Sequence, residues 1–584
     1  MLFGIIIILF IGLSGCNNAD ENNSNARSID DISANEDVAN YLKNFKGLGA
    51  LTDSSAPTPA VQSMANFRFP DDLAMDLVLA EPKVVQPVEL SFDQRGRLWV
   101  VQYTQYPFPK DLKVVSVDNF LRFKYDRTPL PPPKGVKGAD KITIFEDTDG
   151  DGKYDKSTDA VTGLNIATSV VTGRGKIWVL NPPYLLAYPD PDGDGIPNGN
   201  PEIALTGFGL EDLHAVANSL RWGPDGWLYG AQGSTTTANI SSSVTKNVAF
   251  SGQVIWRYNT DTHVFEIFAE GGGNTFNVEF DSKGRVYSGN NGYDRGPNFK
   301  QGAYYPRSLG KHGAYTNQYT FGNLSNMELE GDKSRFTHSL IKYEGGKLPA
   351  HYEGKMIAIN PLLHYVQLDR FEPDGSTFKT IDEERILQSD DHWFRPVNIK
   401  AGPDGAVYIA DWYDSRLSNT DPRDTWSKNT GRIYRLRDKG ESKGIPKFDL
   451  TKYSTSQLIQ LLKSDNKWFR QHALRQFADK KDKSVVPALM PLLQSDSGQN
   501  ALEALWAINV SGGFNDKIAK IALNHQDPFV REWGVRLLGD AKNVSIELSL
   551  ELRNLASKET NPEVRSQLAC TAKRLPAADA IPVI

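Results

Sequence analysis

One unit returns along this chain and limits what it can become: an apolar strand, a tight turn built on Asp and Gly, then a second strand of alternating apolar residues. It stands as PVELSFDQRGRLWVVQ at 87–102, more loosely as TSVVTGRGKIWVLNP at 168–182, then as NSLRWGPDGWLYGAQG at 218–233. It returns as FNVEFDSKGRVYSGNNG at 276–292 and PVNIKAGPDGAVYIADWYD at 396–414, with a less regular copy at 355–375. The turn glycine supplies a positive φ that other residues adopt only at a cost. Successive copies lie roughly 50 to 80 residues apart, the length of one four-stranded sheet plus a long loop. Radial repetition of such sheets limits exposed edges, so the pattern predicts an all-β propeller of six blades over 67–440. GRIYRL at 431–436 reads as a closing strand, pairing near Leu77–Leu79 to latch the ring.

A chain of 584 residues exceeds a single core. After a linker at 441–450 the pattern turns helical, with apolar residues three and four apart in LIQLLKSDNKWFRQHALRQF and FVREWGVRLL. A motif recurs as Asn466-Lys-Trp-Phe-Arg470, Asp527-Pro-Phe-Val-Arg531 and Asn561-Pro-Glu-Val-Arg565. Residues 451–584 are therefore expected to form an α-helical, HEAT-like solenoid, whose concave face would take protein contacts. The expected fold class is multidomain, a propeller followed by helical repeats. The net charge of −6 leaves no basic footprint and argues against nucleic acid as a partner.

Residues 2–13 (LFGIIIILFIGL) are too few for an ordinary membrane span and match a signal-peptide core. They lead into Leu13-Ser14-Gly15-Cys16, which resembles the bacterial lipobox, although no Lys or Arg precedes the apolar run. Residues 1–15 are thus expected to be a lipoprotein signal peptide, with Cys16 lipidated and the protein anchored in the bacterial cell envelope, on the periplasmic side or at the surface. Residues 16–66 are rich in Asn, Ser, Asp and Ala and are expected to be mostly a flexible tether, with a short helix within Val38–Leu51. The only other cysteine is Cys570, so no disulfide framework supports the fold.

Two acidic stretches match calcium loops. One is Asp147, Asp149 and Asp151 with Gly152, followed by Asp155 and Asp159; the other is Asp190, Asp192 and Asp194 with Gly195, followed by Asn198 and Glu202. Alternate carboxylates direct several oxygens at one hard cation, and the glycine permits the sharp turn. The acid expected at position 12 of an EF-hand falls one place later, and no convincing helices flank either loop. A structural calcium is expected at each.

None of the nine histidines is spaced as HxxxH or paired with cysteine, which argues against zinc. His214 stands out, with Glu211 and Asp212 just before it and a blade strand just after. Such a histidine can act as a general base, with Asp212 orienting the ring. Arg395 could pair bidentately with an anionic cofactor or substrate, or hold neighbouring blades together. Trp227, Trp393, Trp412 and Tyr413 sit near these loops, as sugar-stacking rings or as core.

The segments DLHAVANSLRWGPDGWLYG, GGGNTFNVEFDSKGRVYSGN, HWFRPVNIKAGPDGAVYIADWYD and GRIYRL resemble the glucose/sorbosone dehydrogenase superfamily. With FEDTDGDGK at 145–153, the chain more closely resembles the large membrane-bound dehydrogenase propellers of Planctomycetes and related (PVC-type) bacteria. The resemblance implies a six-bladed propeller with pyrroloquinoline quinone and calcium at the channel mouth, oxidising a sugar or other alcohol. It implies an Asp–His base pair, here Asp212-Leu-His214 with one residue inserted, and a cofactor-holding Arg–Asn pair, here Gly273-Asn274 without the Arg. Asn274 and Asn277 are the remaining candidates for holding the cofactor. Relatives often carry a cytochrome c domain, but this chain has no CxxCH, which excludes covalent c-type haem and leaves the electron acceptor to a redox partner or cytochrome. The expected function is a lipid-anchored, quinoprotein-like dehydrogenase. The alternatives are a calcium-stabilised binding scaffold and a calcium-dependent lactonase-type hydrolase.

Overall fold

The computed structural model describes residues 27–46, 55–234, 236–307, 314–336, 339–416, 423–441, 444–495 and 498–584. Cys16 and the signal-like run lie outside them. Six sheets, antiparallel in their inner strands, surround a central channel. Their first strands are Pro87–Phe92, Ser169–Gly173, Asn218–Trp222, Phe276–Phe280, Leu340–Lys342 and Pro396–Ala401, and each touches the next in cyclic order until the last meets the first. The ring is latched as expected: Arg432–Asp438 pairs antiparallel with Leu73–Ala80, Leu77 opposite Tyr434 and Leu79 opposite Ile433.

Five of these sheets have four strands or more and form full blades, so the expectation of six is corrected. The sheet beginning at Phe276–Phe280 has only three strands, the last being Asn298–Phe299. The next strand in sequence, Ala303–Arg307, does not complete it. It pairs in parallel with Phe265–Gly272 of the preceding blade, Glu270 opposite Tyr304.

The recurring Asp has a local task that explains the motif. Asp93 Oδ1 accepts the N–H groups of Arg95 and Arg97, closing the turn, while its Oδ2 accepts Trp99 Nε1–H at 2.9 Å. The same division returns where Asp225 takes Trp227 N–H and the Tyr229 hydroxyl at 2.6 Å, and where Asp404 takes Ala406 N–H and the Tyr408 hydroxyl at 3.0 Å. One carboxylate thus fixes both the turn and the aromatic side chain of the following strand.

The helical region runs from Thr455 to the end of the chain, and its recurring motif is an N-cap. Asn466 Oδ1 accepts Trp468 N–H at 2.8 Å, Asp527 Oδ1 accepts Phe529 N–H at 2.8 Å, and Asn561 Oδ1 accepts Glu563 N–H at 2.9 Å. Pro528 and Pro562 follow two of these caps, where a missing N–H costs nothing. The helices that begin here, Lys467–Lys480, Pro528–Ala541 and Pro562–Arg574, lie on the turn face of the propeller. Lys467 Nζ meets Glu279 at 2.7 Å, Arg536 meets Asp225 at 3.2 Å, and Glu563 meets Arg285 at 2.6 Å. The helix faces expected to take other proteins are therefore, in large part, docked on the chain's own blades.

Gly284, in the turn of the three-stranded sheet, has φ +74°, and a Cβ there would lie 2.4 Å from Trp533. Gly284→Ala is expected to lower stability by at least about 1–2 kcal/mol from the backbone alone, with the collision against the indole in addition. A chemical denaturation midpoint measures it.

Residues expected to be tether are in part packed. Ile32, Val38 and Leu42 bury against Phe108, Val114 and Phe123, and the Thr58 carbonyl accepts the Tyr413 hydroxyl at 3.0 Å.

Candidate functional site

Each inner strand runs from the channel mouth to the turn face that carries the helices. Around their starts lies a cavity of about 380 Å³, bordered by Asn218, Ser219, Phe276, Asn277, Val397 and Asn398. Bulges open these strands at the mouth, with register shifts between Asn218 and Arg221 and between Phe276 and Glu279. Ser219 and Asn277 sit there at φ +59° and +84°. Such backbone is costly for non-glycine residues and turns the strand starts away from regular pleating.

His214 lines this cavity from the turn just before Asn218, half-buried and edge-on to Phe276 with ring centroids 5.6 Å apart. Burial lowers its pKa below the ordinary 6.5; the Asp212 charge opposes this, and Arg335 and Arg416 reinforce it. The ring is therefore neutral at neutral pH, the form that can accept a proton. Asp212 Oδ1 accepts the backbone N–H of His214 at 3.1 Å, so it fixes the turn that presents the ring.

The residues expected to hold a cofactor are differently placed. Asn274 is not in the cavity wall; its Oδ1 accepts Ser234 N–H at 2.7 Å. Asn277 borders the cavity, but its Nδ2 donates to the Leu340 carbonyl at 2.8 Å and its Oδ1 accepts Gly289 N–H at 2.9 Å. Arg395 also borders it and gives its guanidinium to the carbonyls of Arg416, Pro361 and Ser415, each at 3.2 Å. It ties its own loop to the loop at Pro361 and the loop at Ser415 and Arg416.

Residues that the sequence did not single out make up much of the wall. Tyr103 and Tyr106 stack with centroids 5.4 Å apart, and Trp426 stands edge-on to Tyr106 at 5.4 Å, with Trp412 beside them. The Arg416 guanidinium lies 4.1 Å from the Trp426 ring centroid, while Arg335 donates to Asn291 Oδ1 at 2.8 Å. Of the four aromatic residues picked out in sequence, only Trp412 is in this cavity. Trp393 donates to Ser55 Oγ and Tyr413 holds Thr58, both securing the N-terminal segment, and Trp227 lies under the Arg257 guanidinium.

The two acidic loops lie far from this mouth, in third-to-fourth-strand hairpins of adjacent blades on the turn face. The carboxylates of Asp147, Asp149 and Asp151 converge within 4.8 Å of one another, as do those of Asp190, Asp192 and Asp194. Burial, with Asp192 and Asp194 adding to it, pushes Asp190 up to about 6. The later acids do not join. Asp159 is on a strand, bonded to Thr143 and Lys141; Glu202 pairs with Lys176; and Asp155 accepts the Thr148 N–H and hydroxyl. Asn198 is exposed and closes its loop through its own N–H to the Pro189 carbonyl.

The fold and cavity together define a β-propeller with a small-molecule-sized pocket at one end of its channel and a helical region across the other. Residues 59–440 match the model of the family described as a domain of unknown function, DUF7133, and the chain belongs to that family. No curated protein matches the chain. Among solved structures it is similar to an oxidoreductase (glucose dehydrogenase) from Thermus thermophilus, at 15% identity over 62% of this chain and 99% of that one, with a TM-score of 0.35. It is also similar to a PQQ-bound aldose sugar dehydrogenase from Streptomyces coelicolor, at 13% identity over 63% and 100%, TM-score 0.35. Superposition at these scores is too loose to carry an argument about this chain's chemistry. Among the described residues no helix is long and apolar enough to cross a membrane.

Proposed function

We propose that this chain is a dehydrogenase oxidising a sugar or other alcohol at the channel mouth, using a quinone of the pyrroloquinoline type and passing electrons to a separate acceptor. The observation that carries this reading is the meeting, in one 380 Å³ cavity, of a neutral His214 with the cations Arg335 and Arg416 and an aromatic wall. The donor set suits a flat polyanion: guanidinium groups for carboxylates, and Tyr103, Tyr106, Trp412 and Trp426 for ring faces. Arg335, rather than Asn274, Asn277 and Arg395, would hold it, with Arg416, whose Nη1 donates to the Arg423 carbonyl and Thr425 Oγ1, adding its charge from the wall. When bound, the quinone supplies the hydride acceptor. His214 accepts the substrate hydroxyl proton on its unprotonated ring nitrogen, and Asp212 holds the loop and steadies the imidazolium that forms.

Titrating the protein with pyrroloquinoline quinone tests this through tryptophan fluorescence, since Trp412 and Trp426 line the cavity. Saturable quenching is expected, weakened roughly tenfold in Arg335→Gln for the loss of one charge-assisted contact. Absence of quenching would refute the quinone assignment.

Calcium has its place on the other face, where it would bind each Asp triad and brace two hairpins. Equilibrium dialysis is expected to find two calcium ions per chain, and one in Asp190→Asn. An unchanged count in that variant would remove the second loop from the proposal. The helical region is HEAT-like in its paired helices and repeated caps, and a lipid on Cys16 would hold the whole at the cell envelope.

A further inference from the structure

Where helix Lys467–Lys480 crosses the turn-face end of the channel, a second cavity of about 110 Å³ remains between it and the last residues of the inner strands. Arg475 lines this cavity and is only 7% exposed. Its Nη2 donates to two neutral oxygens, Gln94 Oε1 and Thr172 Oγ1, and its Nε has no acceptor. The acids whose charge reaches it are Asp479 and Asp93, and both are engaged elsewhere. Asp479 is taken by Arg174 at 2.7 Å; Asp93 is taken by Arg97 at 2.7 Å and by Trp99.

The other charges at the cavity are balanced. Lys400 is paired with Glu89 at 2.9 Å, and Arg221 with Glu279 at 3.0 Å. One guanidinium is left over, in a place where an uncompensated charge is strongly unfavourable. Burial accordingly lowers the pKa of Arg475, and the more distant Asp479 and Asp93 do not restore it.

We propose that the closed end of the channel binds one small monovalent inorganic anion of the halide class as the counter-ion of Arg475. Held there, it neutralises the guanidinium by which helix Lys467–Lys480 grips Gln94 in the turn of the first blade and Thr172 in the second blade. The cavity has room for an anion and a few waters. A halide suits it better than an oxyanion for two reasons. One charge needs balancing rather than the two of sulfate or phosphate, and part of the wall is apolar, including Leu220, Trp468 and Ala478, while the lining cations Arg174, Arg221 and Lys400 are already paired with carboxylates.

The test uses the full chain. Crystals grown in bromide are expected to show one anomalous peak in the cavity beside Arg475. At constant ionic strength, replacing gluconate with chloride is expected to raise Tm saturably in wild type and to leave Arg475→Met unmoved. Should that variant not fold, Arg475→Lys is expected to weaken the chloride response, and the bromide peak still decides the location. A peak with no chloride-specific shift is an adventitious ion and overturns the proposal. So does a shift with no peak at Arg475, a response to phosphate alone, or a chloride shift that persists undiminished in the Arg475 variants.

Discussion

His214→Ala is expected to lower turnover of an oxidised sugar or alcohol by about 10²–10⁴-fold, the range that a positioned general base contributes. The ring is half-buried, meets Phe276 edge-on and faces the cavity, so its removal leaves the neighbouring strands supported. The loss should therefore fall on kcat, with quinone binding and Tm close to wild type. The pH profile separates a base from a merely structural ring. Burial, Arg335 and Arg416 hold the His214 pKa below 6.5, so the wild-type acid limb of kcat/KM should lie below that of an ordinary histidine. Arg335→Gln removes one of the charges depressing it and should move the limb upward. A limb that stays in place would separate the titrating group from His214.

The second large effect lies at the opposite face. Arg257 is fully buried and meets Asp540 of the helical region at 2.5 Å, Glu266 at 2.9 Å and Asp225 at 3.2 Å. Removing one partner from such a group leaves charges buried without compensation, so Arg257→Leu is expected to cost about 3–5 kcal/mol. Deleting residues 451–584 should be worse, since it takes Asp540 from Arg257, Arg574 and Lys542 from Glu266, Lys467 from Glu279 and Glu563 from Arg285 at one stroke; the truncated propeller is expected to aggregate or unfold. The same cluster sets an acid limit. Burial alone would raise Glu266, but Arg257, Arg574 and Lys542 pull it down to about 2 from 4.5. The folded form binds the proton more weakly than the unfolded chain. Its stabilising share is thus complete above about pH 4.5 and is lost as the pH falls towards 2. Denaturation midpoints of Arg257→Leu, and acid titration of wild type, check both statements.

The blades were readable because each repeat carries its own turn chemistry: Asp93, Asp225 and Asp404 bind neighbouring N–H groups and the aromatic of the next strand, all within a few residues. The blade count was less so. Whether Ala303–Arg307 completes the Phe276 sheet or joins the preceding blade depends on a parallel pairing between segments about 35 residues apart, and alternation within a strand does not encode its neighbour. His214 was identifiable by its acidic flank and its lack of a counterpart in the other repeats. Arg335, Arg416 and Trp426 were not, because Arg335 comes from one loop and Arg416 and Trp426 from another far along the chain, and only the closed ring brings them to His214. Asn274, Asn277 and Arg395 were legible as candidate cofactor contacts, yet their side chains hold neighbouring backbone instead. The helical docking face was hidden for a similar reason: caps and helical periodicity predict the helices, whereas the partners of Asp540 and Glu563 lie more than two hundred residues upstream.

The most direct measurement mixes the purified full-length chain with pyrroloquinoline quinone and calcium and follows reduction of an artificial electron-accepting dye across a panel of sugars and alcohols. Substrate-dependent reduction that requires the quinone and is lost in His214→Ala is the expected result. Quinone-independent reduction, or reduction equal in wild type and His214→Ala, would contradict the assignment of the channel mouth as a dehydrogenase site, as would no reduction with any member of the panel.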